Sequence, residues 1–198
     1  GGLFNIGAEG QFYMGALAGA WLGFALPESL PAIVHLPITL IGSALIGALW
    51  GGIAGFLKAT RGAHEVITTI MLNWIAIWVG QFLFGLGGPL QNEAQPDIPI
   101  SETVVAGAKL PVFWGEADFQ GASIGIFIAL AMAIVVWAVL KYTPMGYEAR
   151  AVGFNPSASQ AGGISVQSTI IKSLCISGAL AGLAGAAEVM GVYGRLFD

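Results

Sequence analysis

Long apolar stretches that are almost free of charge constrain this chain more than any other feature. The clearest is Leu36–Leu57, which contains no Asp, Glu, Lys or Arg. A helix of about 20 apolar residues crosses the roughly 30 Å hydrocarbon core of a bilayer and satisfies its backbone hydrogen bonds internally. Three further stretches have the same character: Val66–Gly88, Gly121–Leu140 and Ser173–Gly194. The pattern predicts an all-α, polytopic bundle of transmembrane helices.

The composition supports a membrane protein and excludes several soluble classes. Hydrophobic residues make up 56% of the chain and charged residues 9%, whereas a soluble domain carries roughly 25% charge. This excludes a soluble enzyme and a disordered tail. With a net charge of −4 and 7 Lys and Arg residues, nucleic acid is not expected as a partner, because each phosphate contact needs a cation.

The potential metal ligands are few and scattered along the chain. The lone Cys175 excludes an internal disulfide or a cysteine cluster. His35 and His64 are isolated in the sequence. Neither a metal site, a catalytic triad nor a cofactor is therefore predicted.

A fifth membrane segment is expected at Leu3–Leu26. Its purely apolar part, Phe12–Leu26, spans only about 22 Å as a helix. Three polar residues stand before that part: Asn5, Glu9 and Gln11. If the segment is one straight helix, Glu9 lies near the cytosolic edge of the membrane. If the helix is broken near Gly7 or Gly10, Asn5 and Glu9 line a cavity instead.

Other polar side chains at membrane depth have two interpretations each. Asn73 either forms an interhelical hydrogen bond or contributes to a solute pathway. Trp74 and Trp78 either pack against lipid and protein or provide aromatic faces for a solute. Glu188 is either buried against a partner or exposed at the outer interface. Asn5, Glu9, Gln11, Asn73 and Trp74 are the candidate pathway residues.

Glycines recur at four-residue spacing, which places them on one face of a helix. The sets are Gly15, Gly19 and Gly23; Gly47, Gly51 and Gly55; and Gly178 and Gly182. Such faces let neighbouring backbones approach closely. They serve either plain helix packing or a sliding motion, and both interpretations require several spans in one bundle.

Charge in the connections predicts the topology. Lys58 and Arg61 lie in the second connection, and the loop 141–172 carries Lys141, Arg150 and Lys172. The positive-inside rule therefore places these two connections in the cytoplasm. The loop 89–120 contains five acids and four prolines. It is predicted to be an ordered external loop and not a sixth span.

The loop 141–172 is predicted to contain two short helices. Gly146–Val152 forms one, ended by Gly153. Asn155 caps a second that starts at Pro156. The pair forms either a docking element or a plain connection. The candidate docking residues are Gly146, Tyr147, Glu148, Ala149, Arg150, Gly153, Asn155 and Pro156.

Four blocks of sequence carry a family resemblance. They are 2–11 (GLFNIGAEGQ), 65–76 (EVITTIMLNWIA), 146–163 and 177–185 (SGALAGLAG). In order and spacing they resemble the permease subunits of bacterial ABC importers of the branched-chain amino acid and ribose type. They look most like the nucleoside and simple-sugar permeases. Trp74 stands where that family usually has tyrosine after Met-Leu-Asn.

The resemblance implies a multi-pass subunit of the bacterial inner membrane that forms the pathway for a nucleoside or simple sugar. It implies four kinds of partner: a cytosolic ATP-binding subunit that docks on 141–172, a second permease subunit in a homo- or heterodimer, an extracytoplasmic solute-binding protein, and membrane lipid. The chain has no phosphate-binding loop of its own, so ATP hydrolysis is assigned to the partner.

Other interpretations of the sequence stay open. The solute is alternatively a branched-chain amino acid or another small molecule. The chain is alternatively a secondary transporter driven by an ion gradient, or a membrane scaffold without transport. Because it starts Gly1-Gly2-Leu3, it is expected to be a fragment of a longer protein, with residues 1–198 forming one permease domain.

Overall fold

A computed structural model describes residues 2–115 and 121–197. Its helices are α1 (Ala8–Ala25), α2 (Ala32–Arg61), α3 (Glu65–Phe84), α4 (Gly125–Tyr142), α5 (Pro144–Phe154), α6 (Pro156–Ala161) and α7 (Val166–Glu188). A π-helical turn, Val189–Tyr193, continues α7, and a 3-10 turn covers Ala106–Ala108. The strands β1 (Val112–Trp114) and β2 (Ala122–Ser123) pair antiparallel, with an irregularity between Val112 and Trp114.

Helices α1, α2 and α7 form the centre of the bundle, and glycines make their close approach possible. A Cβ atom on Gly15 would overlap the backbone of Gly182, and one on Gly47 would overlap the carbonyl oxygen of Gly178. A Cβ atom on Gly51 would likewise overlap the carbonyl oxygen of Leu174. The predicted glycine faces are therefore the surfaces along which these three helices pack.

The remaining long helices lie around this centre. Helix α3 packs on α1, while α4 contacts α5 and α7 and buries none of its own residues. Within the described ranges, four helices are long and apolar enough to cross a membrane: α2, α3, α4 and α7 with its π turn. The predicted all-α polytopic bundle is confirmed, and the chain is a multi-pass membrane protein.

Several boundaries differ from the prediction. The first segment is not one helix from Leu3: residues 2–5 are not helical, and α1 starts only at Ala8. Among the described residues no helix precedes Gly7, so the break is a change from non-helical chain to helix and not an interruption between two helical parts. Lys141 lies inside α4 and Lys172 inside α7. The connection between these helices is therefore shorter than 141–172, because the Ser165 hydroxyl caps α7 at the Ser168 N–H, well before its apolar stretch begins.

The described parts of the connection after α3, residues 85–115 and 121–124, pack over one end of the bundle. The Val105 N–H donates to the Gly23 carbonyl at 3.0 Å, and the Leu110 N–H donates to the Met190 carbonyl at 2.9 Å. The ends of α1 and α7 are thus held by the same segment. Two of its predicted acids, Glu116 and Asp118, lie outside the described residues. The two short helices α5 and α6 lie after the other end of α4.

Candidate functional site

The break before α1 is held by a network of side-chain amides. The Asn5 amide donates to the Gln11 side-chain oxygen at 2.8 Å and to the Ser177 hydroxyl of α7 at 2.9 Å. The Asn5 side-chain oxygen accepts hydrogen bonds from the Gly7 N–H and the Gln11 amide. Gln11 is only 1% exposed, so its polar atoms depend on these partners.

Asn73 joins the same region from α3. Its side-chain oxygen accepts from the Gly10 N–H at 2.9 Å, and its amide donates to the Ile6 carbonyl at 3.1 Å. It therefore satisfies one free N–H in the first turn of α1 and one carbonyl in the non-helical chain before it. A Cβ on Gly10 would clash with Asn73, so the glycine is needed for this approach.

The structure brings Asn5, Gln11 and Asn73 together but leaves Glu9 and Trp74 outside the network. Glu9 lies in the first turn of α1 and is exposed. Trp74 is 62% exposed, whereas the neighbouring Asn73 is 8% exposed. Consecutive helical residues point about 100° apart. The amide and the indole therefore face different surroundings and do not form one site within this chain.

Sequence reasoning missed Ser177, which is the α7 member of the network. A serine in an apolar helix usually bonds to the backbone of its own helix, and nothing in its spacing indicated a partner far away in the sequence. Glu188 lies at the last residue of α7 and is half-buried.

The predicted docking residues lie on two capped helices. The Thr143 hydroxyl accepts from the Gly146 N–H and starts α5, and the Asn155 side-chain oxygen accepts from the Ala158 N–H at 3.0 Å and starts α6. The predicted cap at Asn155 and first-turn position of Pro156 are confirmed. The predicted end at Gly153 is wrong, because α5 continues to Phe154.

These helices combine a buried side with an exposed one. Gly146 is buried, and a Cβ there would overlap the end of α4 at Val139 and Leu140. On the exposed side lie Tyr147 and Arg150, with Glu148 and Ala149 half-buried. Phe154 is 89% exposed, which sequence reasoning missed although an aromatic residue in a polar loop was a signal for it.

A direct contact connects the two regions. An ideal Cβ on Gly2 would lie 3.3 Å from the Cα and carbonyl oxygen of Gly153 in α5. The non-helical residues 2–7 therefore run from α5 to the amide network at the start of α1. Within the described residues, no group of His, Cys, Asp and Glu side chains is arranged to hold a metal ion.

Several helices long and apolar enough to cross a membrane, packed in one bundle, define a multi-pass membrane protein. Comparison with known proteins identifies the family. Residues 1–195 match the family described as the permease component of the branched-chain amino acid transport system. The chain belongs to this family.

Individual relatives agree with the family match. The chain is 42% identical to the guanosine ABC transporter permease protein NupP of Bacillus subtilis, over 97% of this chain and 53% of the relative. It is 36% identical to the nucleoside ABC transporter permease protein NupB of Lactococcus lactis, over 93% of this chain and 51% of the relative. It is 34% identical to the glucose ABC transporter permease protein TsgB13 of Haloferax volcanii, over 98% of this chain and 52% of the relative.

The chain spans about half the length of these relatives. No solved structure matches it.

Proposed function

We propose that this chain belongs to the permease subunit of an ATP-driven importer and forms part of the transmembrane pathway for a nucleoside or a simple sugar. The family match over residues 1–195 carries the proposal. Relatives named for guanosine, nucleosides and glucose favour these solute classes over amino acids.

In this proposal the subunit works with four partners. A cytosolic ATP-binding subunit docks on α5 and α6, a second permease subunit completes the pathway, and a solute-binding protein delivers the solute from outside. Lipid surrounds the apolar outer faces, such as the unburied helix α4. The location that fits this assembly is the bacterial inner membrane.

The contacts support a mechanical role for the short helices. Two side-chain caps hold α5 and α6, and the buried Gly146 seats α5 against α4. A movement of α5 is passed to residues 2–7 through the contact between Gly2 and Gly153. From there it reaches the start of α1, where Asn5, Gln11 and Asn73 hold the break. ATP binding by the partner thereby shifts the population of pathway states.

The docking proposal is tested in proteoliposomes that contain the full-length permease and all partner subunits. Glu148→Arg reverses the charge of a half-buried side chain on α5, and Phe154→Ala removes an exposed aromatic ring. We expect solute uptake and solute-stimulated ATP hydrolysis to fall together, about tenfold or more, as for the loss of an interface anchor.

Gln167→Arg is the matched control for Glu148→Arg, because it introduces the same side chain at an exposed position of α7, outside the proposed docking helices. All variants must insert and purify as the wild type does. If Glu148→Arg and Phe154→Ala both keep full uptake and full stimulation of hydrolysis, α5 and α6 are a plain connection.

A further inference from the structure

A groove between α1 and the end of α7 lies apart from the amide network. It encloses about 360 Å³, within the range of roughly 300–1,000 Å³ that is usual for small-molecule sites. Six side chains with polar or aromatic groups line it: Phe12, Tyr13, Glu188, Tyr193, Arg195 and Phe197. The lining thus combines one acid, one base and several aromatic rings.

The π-helical turn after α7 brings these side chains to one side. The Gly194 N–H donates to the Val189 carbonyl at 2.8 Å, which is an i→i+5 bond. In an α-helix, Glu188 and Tyr193 would point about 140° apart. In a π turn, with about 4.4 residues per turn, residues five apart point only about 50° apart, and such turns are frequent at functional sites. Both side chains therefore face the same groove.

The segment after the π turn is fixed in place. The Val104 N–H donates to the Gly194 carbonyl at 2.8 Å, and the Leu196 N–H donates to the Ser101 hydroxyl at 2.8 Å. Tyr193 and Phe197 meet edge to face with their ring centroids 5.8 Å apart, and both are more than half exposed. Two aromatic rings are thus held in a defined arrangement while their surfaces stay accessible.

Within the described part of the chain, the charged groups of the groove have no side-chain partner. Across residues 2–115 and 121–197, neither the Glu188 carboxylate nor the Arg195 guanidinium makes a side-chain hydrogen bond or an ion pair, although both are half-buried. A ligand that complements this lining offers hydrogen-bond donors to Glu188 and an acceptor to Arg195.

We propose that this groove is a binding site for a nucleoside on its way through the permease. Hydroxyl groups of the sugar donate hydrogen bonds to Glu188, Arg195 donates to an acceptor on the base, and the base stacks on the exposed ring of Tyr193 with its edge against Phe197. A nucleoside is neutral and carries both a planar base and vicinal hydroxyls, which matches this lining better than a free sugar does. The inference rests on the proposed transport function.

The first test measures guanosine uptake by the reconstituted full transporter. Tyr193→Ala and Glu188→Gln are expected to raise the guanosine concentration for half-maximal uptake by about tenfold, as for the loss of one stacking ring or one charged hydrogen-bond acceptor. Tyr193→Phe keeps the ring and is expected to stay within about twofold of the wild type. Stimulation of ATP hydrolysis by the guanosine-loaded binding protein is expected to persist, which a defect in docking or folding would not allow.

Matched controls lie outside the groove. Tyr142→Ala removes an exposed ring from α4, and Glu28→Gln neutralises an exposed acid between α1 and α2. Both are expected to transport guanosine as the wild type does. Unchanged uptake by Tyr193→Ala and by Glu188→Gln would overturn the site.

A second test does not depend on transport. In a Cys175→Ala background, Phe197→Cys places one thiol at the groove, and guanosine is expected to slow its alkylation by a polar maleimide more than ribose does. Equal rates with and without guanosine would overturn the proposal. If the wild type does not import guanosine but the nucleoside still protects the thiol, the solute assigned under the proposed function is wrong and the groove is right.

Discussion

At the scale of single residues, the buried amides explain how a helix can begin inside the bundle. A helix start leaves N–H groups without intrahelical partners, and each unmade hydrogen bond is costly away from water. Asn73 supplies an acceptor to Gly10 and a donor to Ile6, and Asn5 serves Gly7 and Gln11. The polar groups at the break are therefore hydrogen-bonded, and the stability of the break depends on a few identifiable side chains.

Asn73→Ala is expected to destabilise the permease. The change leaves the Gly10 N–H and the Ile6 carbonyl without their partner, at about 1–3 kcal/mol for each group that stays buried. The melting temperature of the purified full-length protein in detergent should fall, and uptake should fall with it. Asn92→Ala is the control, because Asn92 caps an exposed turn at Ala94. Equal melting temperatures for the two variants would contradict the role given to Asn73.

Trp74 differs from Asn73 in that it contributes little to the stability of this chain. Its ring is mostly exposed, so Trp74→Ala removes little packing inside this chain. A loss of uptake in that variant without a loss of stability would assign the ring to the pathway or to a neighbouring subunit. The pair Asn73 and Trp74 therefore separates structural from functional effects at adjacent positions.

At the scale of helices, the central packing depends on the absence of side chains. Gly182 lies against both neighbours: a Cβ on Gly15 would overlap it from α1, and its own Cβ would meet Gly47 of α2 at 3.0 Å. Backbones in such contact cannot give way as a flexible side chain can. Overpacking of this kind usually costs about 1–3 kcal/mol and sometimes more.

Gly182→Val is expected to push α7 away from α1 and α2. Ala184→Val is the matched control, because it introduces the same side chain into the same helix at an exposed position. We expect a lower melting temperature and a lower yield of monodisperse protein for Gly182→Val only. The packing described for the three helices would be refuted if both variants melted like the wild type.

At the scale of the whole molecule, the contacts sort the connections into two groups. The described residues 85–115 meet the ends of α1 and α7, while Gly2 meets α5 and Gly7 lies against Thr69 near the start of α3. The basic connection around Arg61 and the segment with Arg150 therefore belong to one end of the bundle. The acidic connection that contains Asp97 belongs to the other, as alternating spans require.

Single-cysteine labelling of the full-length protein tests this arrangement in the membrane. In a Cys175→Ala background, cysteines at Arg61 and Arg150 are expected to react with an impermeant reagent only after the membrane is opened, and a cysteine at Asp97 in intact cells. The expectation follows from the positive-inside rule. Labelling of positions 97 and 150 from the same side would refute the topology.

The sequence alone determined the membrane class, the main spans and the cap of the second short helix. Long apolar stretches leave a chain no stable alternative to membrane helices. A helix cap depends only on residues next to each other in the chain, so the pair Asn155 and Pro156 predicted the start of α6. The glycine spacing likewise indicated which helix faces approach each other, since four-residue spacing fixes a face.

Only the tertiary structure decided where the polar residues lie relative to one another. Asn73 and Ser177 are far from Asn5 and Gln11 in the chain, and their hydrogen bonds to this region exist because α1, α3 and α7 pack together. The same packing left Trp74 outside that network and brought Glu188 to the side of Tyr193 through a π turn. Local sequence does not encode these relations, because they depend on how helices distant in sequence are placed in space.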